Sequence, residues 1–150
     1  MKVYLAAAWS RRAEIEEVAV RLRKLGVEVT SNWLTEEKAQ QTGAKEKFLR
    51  DRAYLDIRDV DEADAIVRFT DDLSIYDLFA FKPSRFSVAE IIAKLKALIS
   101  GARHFEFGYA KARGKTLYVV GGKQNVFDRL DGIVHLKDVD ELCHVLSQEG

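Results

Sequence analysis

Five short apolar runs, separated by stretches of helical periodicity, limit what this chain can fold into. They are KVYLAAA (2–8), VEVTSNW (27–33), AIVRFT (65–70), TLYVV (116–120) and GIVHL (132–136). Between the first two, Ile15, Val18, Ala19, Leu22 and Leu25 recur at helical spacing. They form one apolar stripe of a helix over 11–25, which Ser10 can cap and Gly26 closes. Further helices are predicted over 45–62, over 87–99 (opened by Ser87-Val88-Ala89-Glu90) and over 138–146 (opened by Asp138-Val139-Asp140-Glu141). A short helical segment is predicted near 125–130. Strands that alternate with helices form a parallel sheet covered on both faces. The expected fold is α/β, a five-stranded parallel flavodoxin/Rossmann-like sheet of order 2-1-3-4-5 with a helical insertion at about 71–99. It forms a single domain of 150 residues.

Charge narrows the partners. Lys plus Arg number 24 and Asp plus Glu number 24, so the chain carries no net charge. That argues against a protein that holds nucleic acid or an anionic membrane by bulk electrostatics. No apolar run approaches the roughly 18 residues of a membrane span, and a strand follows Met1 directly, so the expected location is the cytoplasm. Cys143, the single cysteine, excludes an internal disulfide, and beside His144 on an amphipathic helix it reads as a buried, inert thiol. His104 and His135 have no metal-like spacing, and neither a GxGxxG nor a P-loop motif is present. No metal or cofactor is expected.

Ligands of such sheets bind at the carboxyl ends of the strands, which collects residues 8–12, 33–45, 70–72, 100–106 and 121–126 around one mouth. Within that set, a Ser100-Gly101 turn leads into a helix with Glu106 in its first turn, kept thin by Gly108, Ala110 and Ala112 and ended by Gly114. A carboxylate there is held ionised by the helix dipole, and complementing that dipole is its ordinary role. On the 45–62 helix, Asp56 falls within the stripe of Leu49, Ala53, Val60 and Ala63. An inward carboxylate is costly unless paired, and Arg52 or Arg103 could pair it. Asp51, Asp59, Asp61 and Asp64 read as a solvated acidic face. Tyr4 sits mid-strand, where core packing is the usual reason for a tyrosine. Trp9, at a strand end, could stack on a flat ligand. Arg11 and Arg12 stand at a helix N-terminus, a natural anion site.

Three segments together resemble the nucleoside 2-deoxyribosyltransferase family and the related 2′-deoxynucleoside 5′-phosphate N-hydrolases. Val3-Tyr4-Leu5-Ala6-Ala7-Ala8-Trp9 resembles the opening strand, Tyr54-Leu55-Asp56-Ile57 through Ala63-Asp64 the aspartate helix, and residues 101–115 with Glu106-Phe107-Gly108-Tyr109-Ala110 the nucleophile helix. The resemblance implies Glu106 as nucleophile, Tyr4 as its orienter and Asp56 as the group handling the proton of the departing base, the two-carboxyl logic of retaining glycosidases. It also implies substrate contacts from Gly101 and Arg103. The sugar 5′ end carries mixed signals. Ser100 stands where the transferases have an aspartate and the hydrolases a phosphate-binding serine, and Ser10, Arg11 and Arg12 could add phosphate contacts. Asn125, within Lys123-Gln124-Asn125-Val126-Phe127, resembles the transferase asparagine that a neighbouring subunit supplies, which implies a homodimer or higher homo-oligomer.

The expected function is cleavage of the N-glycosidic bond of a (deoxy)nucleoside through a glycosyl-Glu106 intermediate, with transfer of the sugar to another nucleobase. The alternative within the same chemistry is hydrolysis of a nucleoside 5′-monophosphate. A rival from another class is a non-catalytic nucleotide-binding or sensing module, which would keep Trp9, Ser100 and the arginines without needing Glu106 or Asp56. The expected partners are a nucleoside or nucleoside monophosphate and a free nucleobase.

Overall fold

A computed structural model describes residues 1–35, 45–70 and 101–149, together with Ala89 and Ile92. The predicted helix over 87–99, the insertion at 71–99 and Ser100 otherwise lie outside these residues. The described elements are β1 (Lys2–Ala6), α1 (Arg12–Lys24), β2 (Glu28–Val29), α2 (Lys45–Glu62), β3 (Ala65–Phe69), α3 (Ala102–Ala112), β4 (Thr116–Val120), β5 (Ile133–Leu136) and α4 (Val139–Glu149). All strand pairs are parallel, in the order β2-β1-β3-β4-β5. This is the predicted order, with β5 at the edge.

The alternation of side chains along the strands decides what each face can hold. Tyr4 lies opposite Ile66, Ala6 opposite Arg68, and Arg68 opposite Val119, so these residues share one face. That face receives α3, because Tyr4 hydrogen-bonds Glu106 and Arg68 lies under Phe107. The opposite face presents Phe69 to Arg11 of the turn before α1, and Tyr118 to Glu149 of α4. The core runs through both layers: Val3, Leu5, Ile15, Leu22, Ile66, Val67, Val119, Leu142 and Leu146 are fully buried. Each such aliphatic side chain contributes roughly 1.5–3 kcal/mol.

Several local expectations fail, each for a visible reason. Ser10 lies inside a 3-10 turn, Trp9–Arg11, and α1 opens at Arg11 without a side-chain cap. Leu25, expected on the buried stripe, is exposed at the helix end, where the chain turns through Gly26 at φ 83°. The second strand was expected over 27–33 but stops at Val29. Asn32 binds Asp59, and Trp33 Nε1 donates to the Leu5 carbonyl at 2.8 Å, which draws Asn32–Leu34 into a 3-10 turn. Of the stripe expected along α2, Val60 and Ala63, the latter just past the helix end, are buried, whereas Leu49 and Ala53 are exposed. Among the described residues no helix is long and apolar enough to cross a membrane. Cys143 is half-buried against the core as a free thiol.

Candidate active site

Helix α3 organises the site. Gly101 precedes it, accepting from the N–H groups of His104 and Phe105, and Gly114 follows it at φ 71°. Behind that glycine, Gly114 N–H bonds Lys111 O and Lys115 N–H bonds Ala110 O, so the helix ends with its last carbonyls satisfied. Arg103, Phe107 and Ala110 are its buried residues. Glu106 and His104, two positions apart and so about 200° around the helix, point to opposite flanks.

The Glu106 flank meets β1 and α2. Tyr4 Oη donates to Glu106 Oε1 at 3.1 Å. Glu106 lies in the second turn of α3, not the first, since the helix begins at Ala102. The dipole effect expected from the sequence is spent within the first turn, and a different environment takes over. Burial, reinforced by the Asp56 charge, pushes the Glu106 carboxyl up to about 7, against the opposing pull of the Tyr4 hydrogen bond and of Arg52. Asp56 is half-buried and is itself raised by burial, which Arg52 opposes. Tyr4, fully buried, is pushed well above its ordinary value by burial and by Glu106 and Asp56, so it stays a phenol and a donor.

Two aspartates of the supposed solvated face fix α2 in this position. Asp59 is fully buried, accepting from the Asn32 backbone and side chain at 2.9 Å each. Asp61 accepts from Tyr109 Oη at 3.0 and 3.1 Å and from Arg113 at 2.8 Å, while Lys115 Nζ caps the Asp61 and Ala63 carbonyls. The Asp59 bonds tie α2 to the Asn32–Leu34 turn, and the Asp61 bonds tie its end to α3 and the residues that follow it. Asp51 and Asp64 are exposed, as expected.

The remaining candidates are placed as follows. Trp9 is exposed beside the carboxyl end of β1, tilted against Trp33 with ring centres 6.1 Å apart, and the Arg12 guanidinium lies 5.3 Å from its ring. Ser10 is exposed. Arg11 pairs with Glu14 at 2.6 Å and donates to the Thr70 carbonyl at 3.0 Å, at the end of β3. Arg12 donates to the Leu34 carbonyl at 2.8 Å. Arg103 is fully buried, 3.4 Å from Gln124 Oε1. Asn125 lies on the other side of α3 from Glu106, where its side-chain Oδ1 accepts from the Phe127 N–H at 2.9 Å and caps a 3-10 turn, Val126–Arg129.

That second flank holds a group the sequence reading missed. Arg68 and Asp128 are fully buried and ion-paired. Arg68 also contacts His104 Nδ1 at 3.2 Å and lies 4.5 Å from the Phe107 ring centre. The other Asp128 oxygen takes the Gln124 and Asn125 N–H groups at 2.7 and 3.1 Å. Burial and the neighbouring Arg68 and Arg103 lower the His104 pKa. Beside this network is a cavity of about 240 Å³ lined by Arg68, His104, Lys111, Asn125 and the apolar Phe127 and Leu130 among others. A lone arginine in the buried strand AIVRF was the signal available in the sequence.

No protein-family model matches the chain, and no curated protein matches it. Solved structures do. A CMP N-glycosidase from Clostridium botulinum is 18% identical over 99% of both chains, with a TM-score of 0.54. A 2-deoxyribosyltransferase from the psychrotolerant Bacillus psychrosaccharolyticus is 17% identical over 97% of this chain and 96% of that one, with a TM-score of 0.59. The chain shares their fold.

Proposed function

We propose that the protein is an enzyme that cleaves the N-glycosidic bond of a nucleoside and passes the sugar to another nucleobase. One observation carries this reading: the Tyr4–Glu106 hydrogen bond at 3.1 Å, on a carboxyl that burial, reinforced by a second carboxyl, Asp56, raises to about 7. The two solved structures that share the fold, one a CMP N-glycosidase and the other a 2-deoxyribosyltransferase, support it.

The chemistry follows from the groups. A carboxylate of modest basicity attacks C1′ of the sugar as the C–N bond breaks, through an oxocarbenium-like state. Tyr4 engages Glu106 Oε1, which leaves Oε2 for the sugar. The bond electrons leave with the base, and Asp56 supplies the proton that neutralises it; burial raises the Asp56 pKa, which favours the protonated form. A glycosyl-Glu106 ester results. Attack on C1′ by a nitrogen of a second base releases Glu106, and Asp56 recovers its proton. Water in place of the second base gives hydrolysis.

A second reading, hydrolysis of nucleoside 5′-monophosphates, is favoured by one feature. Arg11 and Arg12 stand together at the start of α1, and Arg11 reaches Thr70 at the carboxyl end of β3, where a 5′-phosphate of a sugar over Glu106 could meet it. The test is incubation with each deoxynucleoside and each deoxynucleoside monophosphate, with and without a second free base, followed by chromatography. Base exchange on unphosphorylated nucleosides is the expected result. Base release from monophosphates alone selects the hydrolase. No released base from any member, together with tight binding of one, selects a non-catalytic binding module.

A further inference from the structure

His104, Phe107, Gly108 and Lys111 fall at positions i, i+3, i+4 and i+7 of α3, one stripe of the helix. All four line the cavity of about 240 Å³ on the flank away from Glu106. Asn125, Phe127 and Leu130, from the segment after β4, line it as well. Gly108 is the odd member of the stripe. Its φ is not positive, so the backbone does not require a glycine there. A glycine inside a helix costs stability relative to alanine. A Cβ at this position would meet no described atom within 4 Å, so close packing among the described residues does not require it either. A side chain at 108 would stand in the cavity.

The side-chain polar groups around this space are donors. An arginine can only donate, so the 3.2 Å contact with Arg68 Nη1 makes His104 Nδ1 the acceptor and puts the proton of the neutral ring on Nε2. Burial and the nearby Arg68 and Arg103 favour that neutral form. Asn125 spends Oδ1 on the Phe127 N–H, which leaves an amide nitrogen that only donates. Lys111 is exposed and brings a cation. Arg68 Nε is buried without a hydrogen-bond partner among the described residues. The acid of this network, Asp128, already has both oxygens engaged. What the space lacks is an acceptor.

We propose that this cavity binds a small organic anion, with an apolar body against Phe107, Phe127 and Leu130 and a carboxylate or phosphate head received by Lys111, His104 Nε2–H and the Asn125 amide. Asp128 offsets the charge of Arg68, so Lys111 supplies the attraction. The cavity is smaller than the roughly 300–1,000 Å³ of pockets for drug-sized ligands, and its occupant is correspondingly small. The site uses none of Tyr4, Asp56 and Glu106 and does not depend on the reaction assigned to them.

The test is titration of the ¹⁵N-labelled protein with benzoate, hexanoate and phenyl phosphate, followed by amide NMR shifts. Each probe is taken to about 10 mM, above the dissociation constant of a well-seated ligand of this size. Benzamide, of the same shape but neutral, and inorganic phosphate, a head without a body, are the controls. Saturable shifts at residues 104–111 and 125–130 are expected with at least one probe, about tenfold tighter than with either control. The carboxylates against phenyl phosphate show which head the site takes. Lys111→Met should weaken the bound probe about tenfold and leave benzamide unchanged. Gly108→Leu fills the space with a better helix former and should abolish the shifts while circular dichroism is retained. If Gly108→Leu fails to fold, Lys111→Met, on an exposed side chain, decides the case. No saturable shift with any probe, shifts confined to the residues around Glu106, or full binding by folded Gly108→Leu overturns the proposal. In the first of these cases, a wild-type dimer that Gly108→Leu dissociates on sedimentation would give the space to a second copy of the chain.

Discussion

Two buried carboxyls lie on either side of helix α3, and their surroundings are opposite. Asp128 has both oxygens engaged, one by Arg68 and the other by the Gln124 and Asn125 N–H groups. Glu106 receives a phenolic hydrogen bond from Tyr4 and faces a second carboxyl, Asp56, whose partner is Arg52. The first arrangement compensates a buried charge fully and holds a turn in place. The second leaves a carboxyl poised between its two protonation states at neutral pH. A fold can carry both because the cost of the second is met by the rest of the core.

The largest effect expected is on turnover. Glu106→Ala should lower kcat at least about a thousandfold while circular dichroism and ligand binding stay near wild type. Residual activity within tenfold would remove Glu106 from the chemistry and collapse the contrast between the two carboxyls. On the other flank, Asp128→Asn should cost about 3–5 kcal/mol in a urea titration, because Arg68 is left buried without its counter-charge. Replacing both partners, Arg68→Met with Asp128→Leu, should recover much of the loss.

Glu106→Gln should act in the opposite sense to Asp128→Asn. The folded carboxyl titrates at about 7, above its ordinary 4.5, so the folded state binds this proton more tightly than the unfolded chain does. Its stability therefore falls as pH rises from 4.5 to 7, and the whole cost is present above that window. Removing the charge should stabilise the protein by roughly 3 kcal/mol at pH 8, with no gain at pH 4. Equal melting temperatures of wild type and Glu106→Gln at pH 8 would contradict the environment assigned to Glu106. The smallest effect belongs to Tyr4→Phe. It keeps the ring packing and removes one hydrogen bond to an ion, so kcat/KM should fall by roughly ten- to a hundredfold, measured with the same substrates.

The sheet was legible because five apolar runs and their spacing leave few ways to bury both faces. The three residues now at the mouth, Tyr4, Glu106 and Asp56, could also be singled out before any coordinates. What could not be read was their electrostatics. The start of α3 at Ala102 moves Glu106 out of the dipole's reach, and its raised pKa comes from burial in the tertiary fold, reinforced by Asp56, fifty residues earlier in the chain. Asp59 was misread as solvated because its partner, Asn32, comes from a turn where the sequence pattern indicated a strand. Arg68 could have been flagged as the one charge in β3, yet nothing local named Asp128 as its partner across 60 residues.

The most direct test of the central claim is mass spectrometry of the protein, quenched in acid during turnover of a nucleoside that it cleaves and then digested. A sugar adduct on the peptide containing Glu106, absent in Glu106→Ala, is the predicted result. Sustained release of base, with the Glu106 peptide unmodified at every quench time and the adduct found elsewhere or nowhere, would contradict it.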